Sequence, residues 1–174
     1  MDQEEKLKYP IGKPVISRNF EEFEPEPVLK SIKVFPEELS KILANKHDWS
    51  NTYRPAGWSA AQVVHHCADS HMNAFIRLKL ALTEEFPVIK PYDEKAWAQL
   101  WDSQLPDVKI SLTLLESLHE KWVFLLDSLS ESDWLRGYIH PEANKKVLLY
   151  QYAEEYSWHC NHHLMHIRIA LKIS

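Results

Sequence analysis

A chain of 174 residues has room for one domain of ordinary size, and 45% hydrophobic residues suffice to build its core. Three glycines (Gly12, Gly57, Gly137) are too few for a P-loop, a Rossmann unit or a hairpin-rich barrel, which all depend on tight turns. A net charge of -5 with the two signs interspersed leaves no basic stripe for a phosphate backbone, so nucleic acid is not an expected partner.

The class that remains is all-α, and the elements follow in chain order. Residues 1–26 contain Pro10, Pro14 and Pro25 and little periodicity, so they are expected to form an extended arm laid against the bundle or a second subunit. The domain proper is expected over 27–174. A first helix is expected from Pro27 to Asn45, kinked or split at Pro36 because proline cannot donate the helical hydrogen bond. Ser59 with Gln62 three residues on forms a capping box, and a second helix should run from there to about Thr83. Pro87 and Pro91 mark a loop, with a short helix from Lys95 to Trp101 inside it. A third helix is expected from an Asp107 N-cap, with Ile110, Leu114, Leu118, Trp122 and Leu125 at helical spacing. Gly137 and Pro141 break the chain again, and a fourth helix should run from about Leu148 to Ile173. Four long amphipathic helices suggest a four-helix bundle. The N-terminus lacks an apolar signal region, no run approaches the ~20 apolar residues of a membrane span, and two cysteines cannot build a disulfide framework. The expectation is a cytoplasmic protein without membrane contact.

Ten histidines stand out. The fourth helix carries WHCNHHLMH, in which His159/His163 and His162/His166 are both i,i+4 pairs able to hold one metal ion. At ~100° per residue the first pair borders the apolar stripe and the second turns toward solvent. On the second helix, His71 falls in the middle of the apolar stripe, His66 on its edge and His65 on the far side. Periodicity therefore makes His71 the buried histidine and leaves open which of His66 and His71 joins a site. His66 shares its face with Ser70, Asn73 and Arg77, a polar strip of the kind that borders a pocket. His119 aligns with Leu112, Leu115, Trp122 and Leu126 and reads as a core histidine, while His140, in a loop before Pro141, is left either to approach the site or to play no part.

The segments YRPAGWSAAQVVHHCADSHMN, LTEEFPVIKPYDEKAW, DSQ and WHCNHH, together with YPIGK and GYIHPE, resemble the YfiT-like group of the DinB superfamily from Tyr9 to Leu171. The resemblance implies a DinB-type four-helix bundle, a homodimer, and one divalent metal ion held by three histidines. One ligand would follow the tryptophan of the second helix by eight residues, here Trp58 to His66, and the other two would be the H-x-x-x-H pair His159 and His163. Cys67 stands where an aliphatic residue is usual, and Cys160-Asn161 lie between the last two histidines; neither removes a ligand.

Three imidazoles leave coordination positions open, as in catalytic rather than structural metal sites. Such an ion, with zinc and nickel the leading candidates, activates water or a thiol near neutral pH. Members of the group carry a metal-dependent hydrolase label, while some act as bacillithiol S-transferases. Transfer of a small-molecule thiol to an electrophile is placed ahead of hydrolysis, and a non-catalytic metal-binding module third. For the thiol, Asn73 and Arg77 are expected to give polar contacts, with Asp93 and Trp97 on the following loop, Trp97 as an apolar wall.

Overall fold

The computed structural model describes residues 3–142 and 145–173. Its elements are α1 (Gln3–Lys8), α2 (Pro25–Leu43), α3 (Ala60–Thr83), α4 (Glu94–Trp97), α5 (Lys109–Asp127), α6 (Glu131–Trp134), the strands β1 (Gly137–His140) and β2 (Lys145–Leu148), and α7 (Leu149–Leu171). The four long helices form the expected bundle. In it α2 packs on α5 and α7, and α3 packs on the same two. Of the four long helices, α2 and α3 therefore stand diagonally across the bundle, as do α5 and α7.

Helix starts follow local chemistry. The Ser59 hydroxyl accepts from the Gln62 N–H at 3.2 Å while the Gln62 side chain accepts from the Ser59 N–H at 3.0 Å, so the expected capping box is formed. At α5 the N-cap position is Val108, one residue later than expected, yet the Asp107 carboxylate still accepts from the Lys109 N–H at 3.0 Å. α2 begins two residues before the expected Pro27 and runs unbroken through Pro36, in place of two short helices.

Trp122 lies at the middle of the core, fully buried, with the rings of Tyr152 and Tyr156 from α7 and of His71 from α3 around it. The Tyr152 hydroxyl donates to the Ala74 carbonyl at 2.8 Å, which ties α7 to α3. On α5 the buried stripe is Leu112, Leu115, His119, Trp122 and Leu126. Ile110 and Leu114, expected on the core face, are exposed: the stripe that contains His119 is the one that points inward.

Two features depart from the reading of an extended arm on a purely helical bundle. The arm is not wholly extended, since it opens with α1. It lies along α7: the Trp158 indole N–H donates to the Gly12 carbonyl at 3.0 Å, and the Ser17 N–H donates to the Glu154 carboxylate at 2.9 Å. The irregular connection around Gly137 and Pro141 is an antiparallel hairpin, Gly137 opposite Leu148 and His140 opposite Lys145. A Cβ on Gly137 would stand 2.2 Å from the Val147 carbonyl oxygen, so only glycine lets the strands meet there. Ile139 also exchanges backbone hydrogen bonds with Pro87 and Ile89, and this fastens the loop after α3 to the hairpin. No helix among the described residues is long and apolar enough to cross a membrane.

Candidate metal centre

His66 projects from α3, and His159 and His163 from successive turns of α7. Their ring centroids lie 5.4 Å (His66–His159), 4.9 Å (His66–His163) and 4.3 Å (His159–His163) apart. One ring nitrogen from each comes within 4.8 Å of the others. Trp58, just ahead of the α3 cap, covers the His66 ring at 4.7 Å between centroids. Burial lowers the pKa of His66 to about 4 and pushes His159 and His163 well below the ordinary imidazole range, and the rings add to this by repelling one another's charge. All three are neutral at pH 7, the form in which imidazole offers a lone pair to a cation.

The faces read as solvent-directed are covered. His65 is buried because it ties α3 to α5 and the preceding loop: its Nδ1 pairs with the Ser111 hydroxyl at 2.7 Å and its Nε2 with the Leu105 carbonyl at 2.9 Å. His162 and His166 are buried because the arm crosses that side of α7. The His162 ring lies between Trp158 and Tyr9, and the His166 ring is stacked on Tyr53 at 3.9 Å. His71 and His119 are fully within the core, as their stripe positions require.

Other donor groupings share these residues: Cys67 with His71 and His159; His71 with His119 and Cys160; His162 with His163 and His166. Burial raises the thiols of Cys67 and Cys160 above their ordinary range, which disfavours the thiolate that binds metal.

From His159 a cavity of about 910 Å³ opens outward, lined by residues of α3, the Pro91–Lys95 segment, the hairpin and α7. Arg77 and Asp93 line it; its Arg77 Nε is buried without a hydrogen-bond partner. Asn73 does not line it: its side-chain amide donates to the Asp69 carbonyl one turn back at 2.9 Å. Trp97 stands one layer behind, its ring 4.5 Å from Tyr92, and Tyr92 forms the wall in its place. Asp93 also caps α4 by accepting from the Ala96 N–H at 3.0 Å. Residues that sequence reasoning did not place here include Tyr138, Tyr156 and Glu155, and the hairpin that it took for irregular chain brings His140 and Lys145. Glu94 lines the cavity as well, and burial raises its pKa. Asp69, raised to about 6 by burial and by Asp102, does not reach the cavity.

A four-helix bundle with a cluster of neutral histidines at the inner end of an open, charged cavity has the build of a small-molecule site rather than of a structural metal knot. The chain belongs to the DinB superfamily, whose model matches residues 34–167. It is 44% identical over 170 residues to a protein of Bacillus licheniformis named "Putative metal-dependent hydrolase", covering 97% of this chain and 95% of that one. It is 40% identical over 163 residues to "Putative metal-dependent hydrolase YfiT" of Bacillus subtilis, covering 92% of each. The solved structure of that YfiT, described as a probable metal-dependent hydrolase with an unusual four-helix bundle topology, superposes with a TM-score of 0.87 at 39% identity, over 97% of this chain and 99% of that one.

Proposed function

We propose that the chain is a metal-dependent enzyme in which His66, His159 and His163 hold one divalent cation, zinc or nickel, and that it transfers a small-molecule thiol to an electrophile. The observation that carries the reading is the convergence of three neutral imidazoles, His66 and His163 buried and His159 partly exposed, where a cavity of about 910 Å³ begins. A divalent ion held there supplies a Lewis acid that lowers the pKa of a bound thiol or water.

The chain's own residues supply the rest. The cavity volume admits two small molecules together, which a transfer between them needs. Arg77, with its unpaired Nε, suits a carboxylate on the thiol substrate, and Lys95 and Lys145 add positive charge nearby. Glu94, its pKa raised by burial, can take up the thiol proton. The sulfur then forms a bond to the electrophilic carbon, and the leaving group departs with the bonding electron pair.

Hydrolysis is the second reading, supported by the names of the relatives; Glu94 in the cavity lining would then take a proton from water. Elemental analysis of the purified protein, followed by paired assays, separates the two. Metal-dependent loss of thiol in the presence of an electrophile supports transfer. Metal-dependent cleavage of a model ester or amide without thiol supports hydrolysis, and neither activity with tightly held metal supports a binding module.

A further inference from the structure

Pro36 sits inside α2 and has no N–H, so the carbonyl four residues earlier, that of Ile32, loses its helical donor. Ile32 is completely buried, where an unpaired carbonyl is costly. The gap is filled from another helix: Nδ1 of His119 lies 2.7 Å from the Ile32 oxygen. A carbonyl can only accept, so the His119 proton is on Nδ1. In a neutral ring the other nitrogen is then an acceptor.

The same logic passes from ring to ring. His119 Nε2 lies 2.8 Å from His71 Nδ1, which must donate to it. His71 Nε2 is left as an acceptor and lies 3.1 Å from His159 Nδ1, which must donate in turn. His159 Nε2 ends the series as an acceptor on the cavity side, its lone pair met only by the Ser70 hydroxyl, which donates to it weakly at 3.4 Å and can turn away. A second series reaches His163. The Leu7 carbonyl of the arm lies 3.2 Å from His166 Nε2, which donates; His166 Nδ1 then faces His163 Nδ1 at 3.4 Å and accepts from it. His163 Nε2 is likewise left with a lone pair.

We propose that these two series, anchored on the backbone carbonyls of Ile32 and Leu7, lock His159 and His163 as Nδ1–H tautomers with both Nε2 atoms preset for a cation. His119, His71 and His166 are positioning residues in this scheme, acting through the rings they touch. Both nitrogens of His71 and of His166 are occupied within the series. The groupings that would use either ring as a ligand, with Cys67, Cys160 or His162, are therefore hydrogen-bonded networks and not additional metal sites. Only the final step, from preset Nε2 atoms to a bound ion, rests on the metal-centre reading above.

The test begins with the metal-free, 15N-labelled full chain, whose long-range proton–nitrogen correlations report the tautomer of each ring. Nδ1–H is expected for His119, His71, His159 and His163, and Nε2–H for His166. An Nε2–H tautomer at His71 or His159 overturns the proposal, and this measurement requires no variant to fold. The second arm titrates zinc and nickel against a chromophoric chelator. His119→Phe, which removes the first link without touching the cluster, is expected to weaken metal binding about 10- to 100-fold and to release the His159 tautomer. His119→Gln, whose amide can both donate and accept, should recover most of the affinity. Full affinity and an unchanged His159 signal in His119→Phe would overturn the scheme. A wild-type chain that binds neither metal would sink the metal-centre reading, while the metal-free tautomers still decide the relay.

Discussion

Removing His66 separates the proposed metal centre from every other donor grouping among the described residues, because His66 belongs to one of these alone whereas His159 and His163 are shared. A ligand that binds only the folded state, present at 100 times its dissociation constant, stabilises that state by about 2.7 kcal/mol. At ~2.1 cal/mol/K per residue, the unfolding entropy of 174 residues is about 0.37 kcal/mol/K. Saturating metal should therefore raise the melting temperature of the wild type by about 7 °C. Thermal melts followed by far-ultraviolet circular dichroism, with and without zinc or nickel in a non-chelating buffer, read this directly. His66→Ala should abolish the increment while leaving a cooperative melt. His162→Ala and Cys67→Ala should retain it, since each belongs only to a competing grouping. An increment that survives in His66→Ala, or one lost in His162→Ala, would refute the assignment.

Stability of the metal-free protein should depend on pH through the buried rings. His119, with its pKa lowered to about 4 by burial, refuses a proton that the unfolded chain accepts at about 6.5, so its contribution is complete above pH 6.5 and is lost as the pH falls toward 4. One such ring accounts for about 3 kcal/mol across that window, and urea midpoints at pH 7, 6 and 5 that do not decline would contradict the neutral-ring picture. Arg77→Ala should raise KM for an anionic thiol several-fold with metal content unchanged; an unaltered KM in steady-state assays would remove Arg77 from the substrate site. Gly137→Ala forces a methyl group against the Val147 carbonyl and should cost about 1–3 kcal/mol, checked by chemical denaturation, with wild-type stability as the contrary result.

The sequence made the long helices plain where a local signal coincided with the global one. Ser59 and Gln62 announce the start of α3 chemically, and the His119 stripe announces the inner face of α5. What it obscured came from contacts between distant segments. Helical periodicity placed His162 and His166 toward solvent, but Tyr9 and Leu7 of the arm and Tyr53 of the loop before α3 cover that face, and no pattern within α7 encodes those contacts. The hairpin escaped notice because its strands are four residues each and the second opens with Lys145 and Lys146, too short and too charged for a period-two signal. Asn73 shares the helix face of Arg77 by spacing, yet the shorter side chain turns back to its own backbone while the longer one reaches the cavity. The choice between His66 and His71 could not be made from periodicity, because both are buried and what separates them is which nitrogens their neighbours leave free.

The contact between His166 and the Leu7 carbonyl spans 159 positions of the chain. The series of rings behind His163 is therefore complete only once the arm has docked across α7. Closing so long a loop is slow relative to local helix formation. Cation capture in a fully ordered site would thus follow arm docking, and a chain whose arm is undocked would leave His163 without its anchor.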